Sequence, residues 1–249
     1  MGYIYSDSNK TDSQSGKSLF DFADTLSIRV PTSCGRTGDC HECIVQVTDG
    51  GESLSKKEDL EGFLGPEFRL ACQAKIINDK NDVSFNVLRR QPKILEKGKV
   101  VNLDLNPSIV IDDGKIIYKN NKTILNEKIT PIFGIAVDLG TTTVVCSIVD
   151  LVSGKIIATS SFENPQRFGG SDTLNRISYE TGIFKGELQS VLISGINFEI
   201  GELCKQFNIR RRWIYEIVIV GNSTMRDICF GIDVFSIGQR PYKSFTELE

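Results

Sequence analysis

The stretch Ser33–Cys43, SCGRTGDCHEC, holds three of the chain's seven cysteines and two of its 22 glycines. The gaps are Cys34-x5-Cys40-x2-Cys43, and a fourth cysteine, Cys72, follows in FRLACQA. Three thiols therefore sit on one short loop, and the nearest further thiol comes from a separate segment. Gly35 and Gly38 let such a loop curl so that backbone N–H groups turn towards its own interior.

A dinuclear [2Fe–2S] cluster uses this distribution of ligands, with a plant-type spacing of C-x4-C-x2-C followed by a distant cysteine. The present loop is one residue longer in its first gap, which is similar to the spacing of adrenodoxin-like ferredoxins. Structural zinc usually takes two paired arms of C-x2-C type. Cys72 has no cysteine or histidine within four residues, so zinc is the weaker alternative. Disulfides within the set remain the alternative for an oxidised, cluster-free chain. Cys34, Cys40, Cys43 and Cys72 are the candidate metal ligands. His41 is expected to face solvent, and Cys146, Cys204 and Cys229, set in apolar patterns, are expected to be buried and inert.

Composition agrees with a redox or metal role for these thiols. The N-terminal MGYIYSDSNKTDSQSGK is polar, and no apolar run approaches the ~20 residues that cross a bilayer. A cytoplasmic, membrane-free protein is the expectation, and there structural disulfides are rare. The 249 residues carry a net charge of −3, with no broad positive field for nucleic acid. The basic run Arg210-Arg211-Arg212 is expected to cap a helix end in solvent.

Three regions follow from patterning. Residues 1–90 read as short strands (CIVQVTDG, FRLACQAKIIND, DVSFNVL) with a helix in GKSLFDFADTL and another in SKKEDLEGFLG capped by Ser55. Residues 91–130 read as a linker with a hairpin at Asp112-Asp113-Gly114. Residues 131–249 begin with three strands (IFGIAVDLG, TTVVCSIVD, GKIIATSSF). Helices are then expected in SDTLNRISYE, capped by Ser171 or Asp172, and in GELQSVLISGINFEIGELCKQF. The latter carries a stripe of Leu188, Val191, Leu192, Ile196, Ile200, Leu203 and Phe207. A buried strand, YEIVIVGN, and a helix capped by Ser223 complete an α/β layer.

Within the third region, AVDLGTTT places an acid at the end of an apolar strand, then glycine and three hydroxyls. It resembles the first phosphate loop of the actin, Hsp70 and sugar-kinase superfamily. The resemblance implies that Asp138 positions Mg²⁺ through water, that Gly140 allows close backbone approach, and that Thr141, Thr142 and Thr143 donate to nucleotide phosphates. A plain hairpin is the alternative. The cysteine loop, then GIAVDLGTTTVV, NPQRFGGSDTLNRISYE and IVIVGNSTM, taken in that order, resemble the reductive activators of corrinoid proteins. The expected fold is then an α+β, β-grasp ferredoxin-like domain followed by the first lobe of an α/β actin-like ATPase (ribonuclease H-like) domain.

That resemblance implies a [2Fe–2S] cluster and a corrinoid protein of a methyltransferase system as partner. It also implies an upstream electron donor and ATP-linked reduction of Co(II) to Co(I). The chain departs from the family pattern in one respect: no second phosphate loop similar to D-I-G-T-N-G-E precedes Glu249, so only one lobe is expected and ATP/Mg is the less supported cofactor. Asn164, Pro165, Gln166, Gly169 and Gly170 read either as a connecting loop or as a contact for the corrinoid protein or nucleotide. The alternative function is a plain [2Fe–2S] electron carrier whose C-terminal half docks partners without nucleotide chemistry. A small-molecule kinase would need a catalytic acid that cannot be assigned.

Overall fold

A computed structural model of the chain describes residues 2–32, 34–88 and 105–247. Much of the expected linker, Pro92 included, lies outside the described residues. The chain divides into two compact units, one formed by residues 1–90, 164–195 and 227–249, the other by residues 91–163 and 196–226.

In the first unit, β1 (Tyr3–Ser6), β2 (Asn9–Asp12), β3 (Ile44–Asp49), β4 (Phe68–Leu70) and β5 (Val83–Val87) form a mixed sheet in the order β2-β1-β5-β3-β4. Only β1 and β5 pair in parallel. Helix α1 (Leu19–Thr25) starts at a reciprocal capping box, in which the Ser18 hydroxyl accepts from the Asp21 amide and the Asp21 carboxylate accepts from the Ser18 amide. It buries Leu19, Phe20, Phe22 and Ala23 in a core shared with Ile4, Val45, Leu70, Val83 and Phe85.

Two local expectations change here. SKKEDLEGFLG forms a single 3-10 turn, Asp59–Glu61, after Glu58. Ser55 does not cap it, because the Ser55 hydroxyl donates to the Gln73 carbonyl and accepts from the Lys75 amide. FRLACQAKIIND is a strand only as far as Leu70. The Leu70 carbonyl accepts from the amides of Gln73 and Ala74 at 2.9 and 3.0 Å, turning the chain at Cys72.

The later segments of this unit are a 3-10 helix, Pro165–Gly169, capped by Asn164, and α2 (Thr173–Glu180), capped by Asp172. The first turns of α3 (Glu187–Gln206) follow. In the second unit a hairpin of β6 (Ile109–Asp112) and β7 (Lys115–Tyr118) turns at Asp113-Gly114, both at positive φ, and pairs on with β8 (Thr123–Asn126). Ile109, Ile116 and Ile132 make a small core there.

The main sheet of the second unit has the order β11-β10-β9-β12, from β9 (Phe133–Leu139), β10 (Thr143–Asp150), β11 (Ile156–Glu163) and β12 (Ile214–Gly221). The first three form an antiparallel meander, and β12 joins β9 in parallel. Ile135, Val137, Leu139, Val144, Cys146 and Ile148 are buried. β12 is not the buried strand that its composition suggests. It lies at the sheet edge, with Ile217, Val218 and Val220 each more than half exposed.

Along α3 the expected stripe is buried from Leu188 to Leu203, while Phe207 lies past the helix end and is 43% exposed. Arg211 does not cap a helix end, because its guanidinium donates to the carbonyl and side chain of Asn197 within α3. Helix α4 (Ser223–Phe230) is capped by Asn222 and not by Ser223: the Asn222 side-chain oxygen accepts from the Met225 amide at 3.0 Å. No helix among the described residues is long and apolar enough to cross a membrane.

Candidate functional site

The cysteine loop runs between α1 and β3 and is folded by its small residues. Gly35 and Gly38 have φ of +66° and +101°, and even Arg36 and His41 take positive φ, at 75° and 54°. Non-glycine residues seldom stay in that region unless their surroundings hold them there. Arg36 is held by Asp24 at 2.7 Å, Asp21 at 3.4 Å and the Phe20 ring at 4.0 Å. Thr37 donates back to the Cys34 carbonyl three residues earlier, which closes the start of the loop.

The four expected ligands fall into two pairs. Cys43 and Cys72 are buried, with their sulfurs 3.4 Å apart. Cys34 and Cys40 are partly exposed, and the backbone and side chain of Cys40 hydrogen-bond the Cys34 thiol. Burial pushes the Cys34 thiol up, but hydrogen bonds from Thr37, Cys40 and Gly38 outweigh it and bring it down to about 5. Cys72 falls to about 7, chiefly because Cys43 hydrogen-bonds its sulfur, and the proton they share drives Cys43 up. Two sulfur pairs, one buried and one near the surface, suit two irons side by side. The described residues contain no group of three or more His, Cys, Asp or Glu arranged around a single ion.

Gln73 ties Cys72 to the loop. Its side-chain amide donates to the Cys72 sulfur at 3.3 Å and to the Thr37 carbonyl at 3.0 Å. Behind Cys72, fully buried Glu61 accepts two bonds from Arg69, each 2.9 Å, and one from the Leu70 amide at 2.8 Å. His41 is not the solvent-facing residue expected. Its ring stacks on Phe63 with centroids 4.3 Å apart, and its Nδ1 lies 3.0 Å from the Glu187 carboxylate. None of Gln73, Glu61 or Glu187 is announced by the cysteine spacing.

Asp138 and the Thr-rich hairpin lie in the second unit. β9 and β10 meet through a two-residue turn at Thr141-Thr142, closed by the Gly140 amide donating to the Thr143 carbonyl at 3.0 Å. A Cβ on Gly140 would sit 2.6 Å from that same carbonyl oxygen, so the turn requires glycine there. Asp138 is exposed on β9, opposite Val220 of β12. The Asn222 side chain, which caps α4, donates to the Thr141 hydroxyl at 3.2 Å. The carboxyl ends of two parallel strands, a hydroxyl-bearing turn and a helix start thus meet, as ligand crevices in open α/β sheets do.

The NPQRFGG segment turns its polar groups inward. Asn164 and Gln166 are 1% and 0% exposed, and Gln166 bonds Asn164, the Leu188 carbonyl and Arg176. Arg176, also buried, donates to the Gly170 carbonyl, and burial lowers its pKa to about 10 against the pull of Asp172. These side chains hold their own segment together. Cys146, Cys204 and Cys229 are buried, and burial raises the thiols of Cys204 and Cys229.

A curled loop of three cysteines closed by a fourth, on a mixed sheet with one capped helix, defines an iron–sulfur protein of ferredoxin type. Residues 4–76 match the 2Fe-2S iron-sulfur cluster binding domain. Residues 133–248 match the RACo middle region. The two matches follow one another in this order along the chain. The corrinoid activation enzyme RamQ of Eubacterium limosum is 26% identical, over 88% of this chain and 44% of RamQ. A solved structure of a reductive activator for a corrinoid, iron-sulfur protein shares the fold, with a TM-score of 0.53 at 22% identity, over 98% of this chain and 51% of that one. The chain therefore spans about half the length of the relatives it matches.

Proposed function

We propose that this chain delivers single electrons to the cobalt of a corrinoid protein, returning inactive Co(II) to Co(I) within a methyltransferase system. The observation that carries the reading is the pairing of four sulfurs, two buried and two near the surface, on a loop whose backbone is bent by Gly35 and Gly38. Cys34 and Cys40 would hold the outer iron, and Cys43 and Cys72 the inner one. When bound, the cluster supplies one-electron chemistry at low potential, around −400 mV for comparable plant-type centres. The protein's contribution is to fix the sulfurs, to place the Gln73 amide beside Cys72, and to leave the Cys34–Cys40 side open to partners. A low-potential one-electron donor must precede it in the sequence of reactions.

ATP linkage belongs to the same proposal. Asp138 would position Mg²⁺ through water, and Gly140, Thr141, Thr142 and Thr143 would take part of a nucleotide's phosphates, with Asn222 beside them. Titration calorimetry with ATP and Mg²⁺ on wild type and Asp138→Ala tests that part separately.

Anaerobically purified protein should be coloured and contain iron and sulfide. Cys72→Ser should bleach the charge-transfer bands and stop cobalt reduction together. Zinc in place of iron and sulfide, or undiminished cobalt reduction by the bleached variant, would overturn the reading.

A further inference from the structure

We infer that Glu187, which lies in the RACo middle region and 144 positions from Cys43 in sequence, is a positioning residue for the iron–sulfur loop, acting through His41. The inference rests on the cluster reading above. His41 lies between Cys40 and Cys43, so its backbone geometry sets the spacing of one sulfur from each pair. It sits at φ +54°, a conformation that a histidine rarely keeps without support.

That support comes from the side chain. One ring face is stacked on Phe63, and Nδ1 is held by the Glu187 carboxylate at 3.0 Å. Both partners are themselves immobilised. Phe63 packs edge-on against Phe168, Phe168 against Tyr179, and the Tyr179 hydroxyl donates to the Phe63 carbonyl at 2.8 Å. Tyr179 stacks on Phe184, three residues before Glu187, and the Glu180 carboxylate accepts from the Gly186 amide at 2.8 Å. Glu187 then opens α3, where a carboxylate is favoured by the helix dipole. The loop's second half is thus pinned by residues 168–187, which a ferredoxin domain alone would lack.

The hydrogen bond is the operative link, so the variants separate it from general stability. Glu187→Ala and His41→Ala are compared with wild type, and Glu187→Gln keeps an oxygen acceptor for the imidazole. The readouts are the EPR signal of the dithionite-reduced cluster, the reduced-to-oxidised ratio at fixed potential, and the rate of iron loss to a chelator. Glu187→Ala is expected to change the EPR line shape, shift the ratio threefold or more, and speed iron loss about threefold or more. Glu187→Gln should restore most of each change. The double variant should be no worse than His41→Ala alone, since that variant already removes the bond to Glu187. Unchanged signals in Glu187→Ala, or additive effects in the double variant, would overturn the inference. A wild-type chain without iron would instead overturn the cluster reading on which it rests.

Discussion

Removing the Glu61 carboxylate should unsettle the cysteine site from behind. Glu61 is fully buried and Arg69 nearly so, with side-chain exposures of 0% and 7%. Glu61→Ala deletes two bonds to the guanidinium and one to the Leu70 amide, leaving a buried cation whose remaining hydrogen-bond partner among the described residues is the Ser55 carbonyl. Breaking a buried pair from one side costs about 3–5 kcal/mol, because the other charge stays desolvated. That is a large share of the roughly 5–15 kcal/mol that holds a domain folded. At about 2–4 °C per kcal/mol for a unit approaching ~150 residues, the thermal midpoint should fall by about 6–20 °C. Thermal unfolding at pH 7 measures the midpoint and urea unfolding the free-energy loss, both followed by circular dichroism and by the visible bands. Glu61→Ala with Arg69→Leu separates the terms. Removing the stranded cation should recover most of the loss, leaving about 1–3 kcal/mol for the unpaired Leu70 amide. A single variant within about 1 kcal/mol of wild type, or a double variant no better than the single, would refute this reasoning.

Two further outcomes follow from the same region. Gln73→Leu removes the N–H donor to the Cys72 sulfur; since such donors stabilise the more negative, reduced cluster, its potential should move lower, which a mediated redox titration reads. The Asp21 carboxyl is pushed up by burial, but the Ser18 hydroxyl and amide and then Arg36 and Lys17 hold it below its ordinary value of 3.8. A lowered folded-state pKa contributes stability above that ordinary value and loses it as pH falls through the lower one. Ser18→Ala should therefore cost about 0.5–2 kcal/mol at neutral pH, and its deficit against wild type should shrink in unfolding measurements as the pH falls below 3.8.

The elements legible in the sequence are those whose signals are local. Ser18 and Asp21 lie three residues apart, and the capping box they form needs nothing from elsewhere. The Asp-Asp-Gly turn, the meander from Phe133 to Glu163 and the buried stripe of α3 are likewise set by period and by turn chemistry. Errors arise where a distant group takes over a local one. Ser55 reads as a cap until Gln73 and Lys75 occupy its hydroxyl. IYEIVIVG reads as a buried strand because apolar residues run unbroken, yet its place at the sheet edge leaves both faces partly open.

The candidate site divides in the same way. Four cysteines at these spacings are visible because ligands on one loop must follow chain geometry, and the fourth stands out as a lone thiol. The groups that hold those sulfurs in place obey no spacing rule. Gln73 matters because the chain turns at Leu70 and brings its amide back to Thr37. Glu187 matters because Tyr179 and Phe168 carry it to a histidine 146 residues away. The candidate ligands are therefore written locally, while the geometry and field around their sulfurs are contributed by the whole first unit. Substitutions far from the loop in sequence should therefore tune the centre, whereas substitutions of the ligands abolish it.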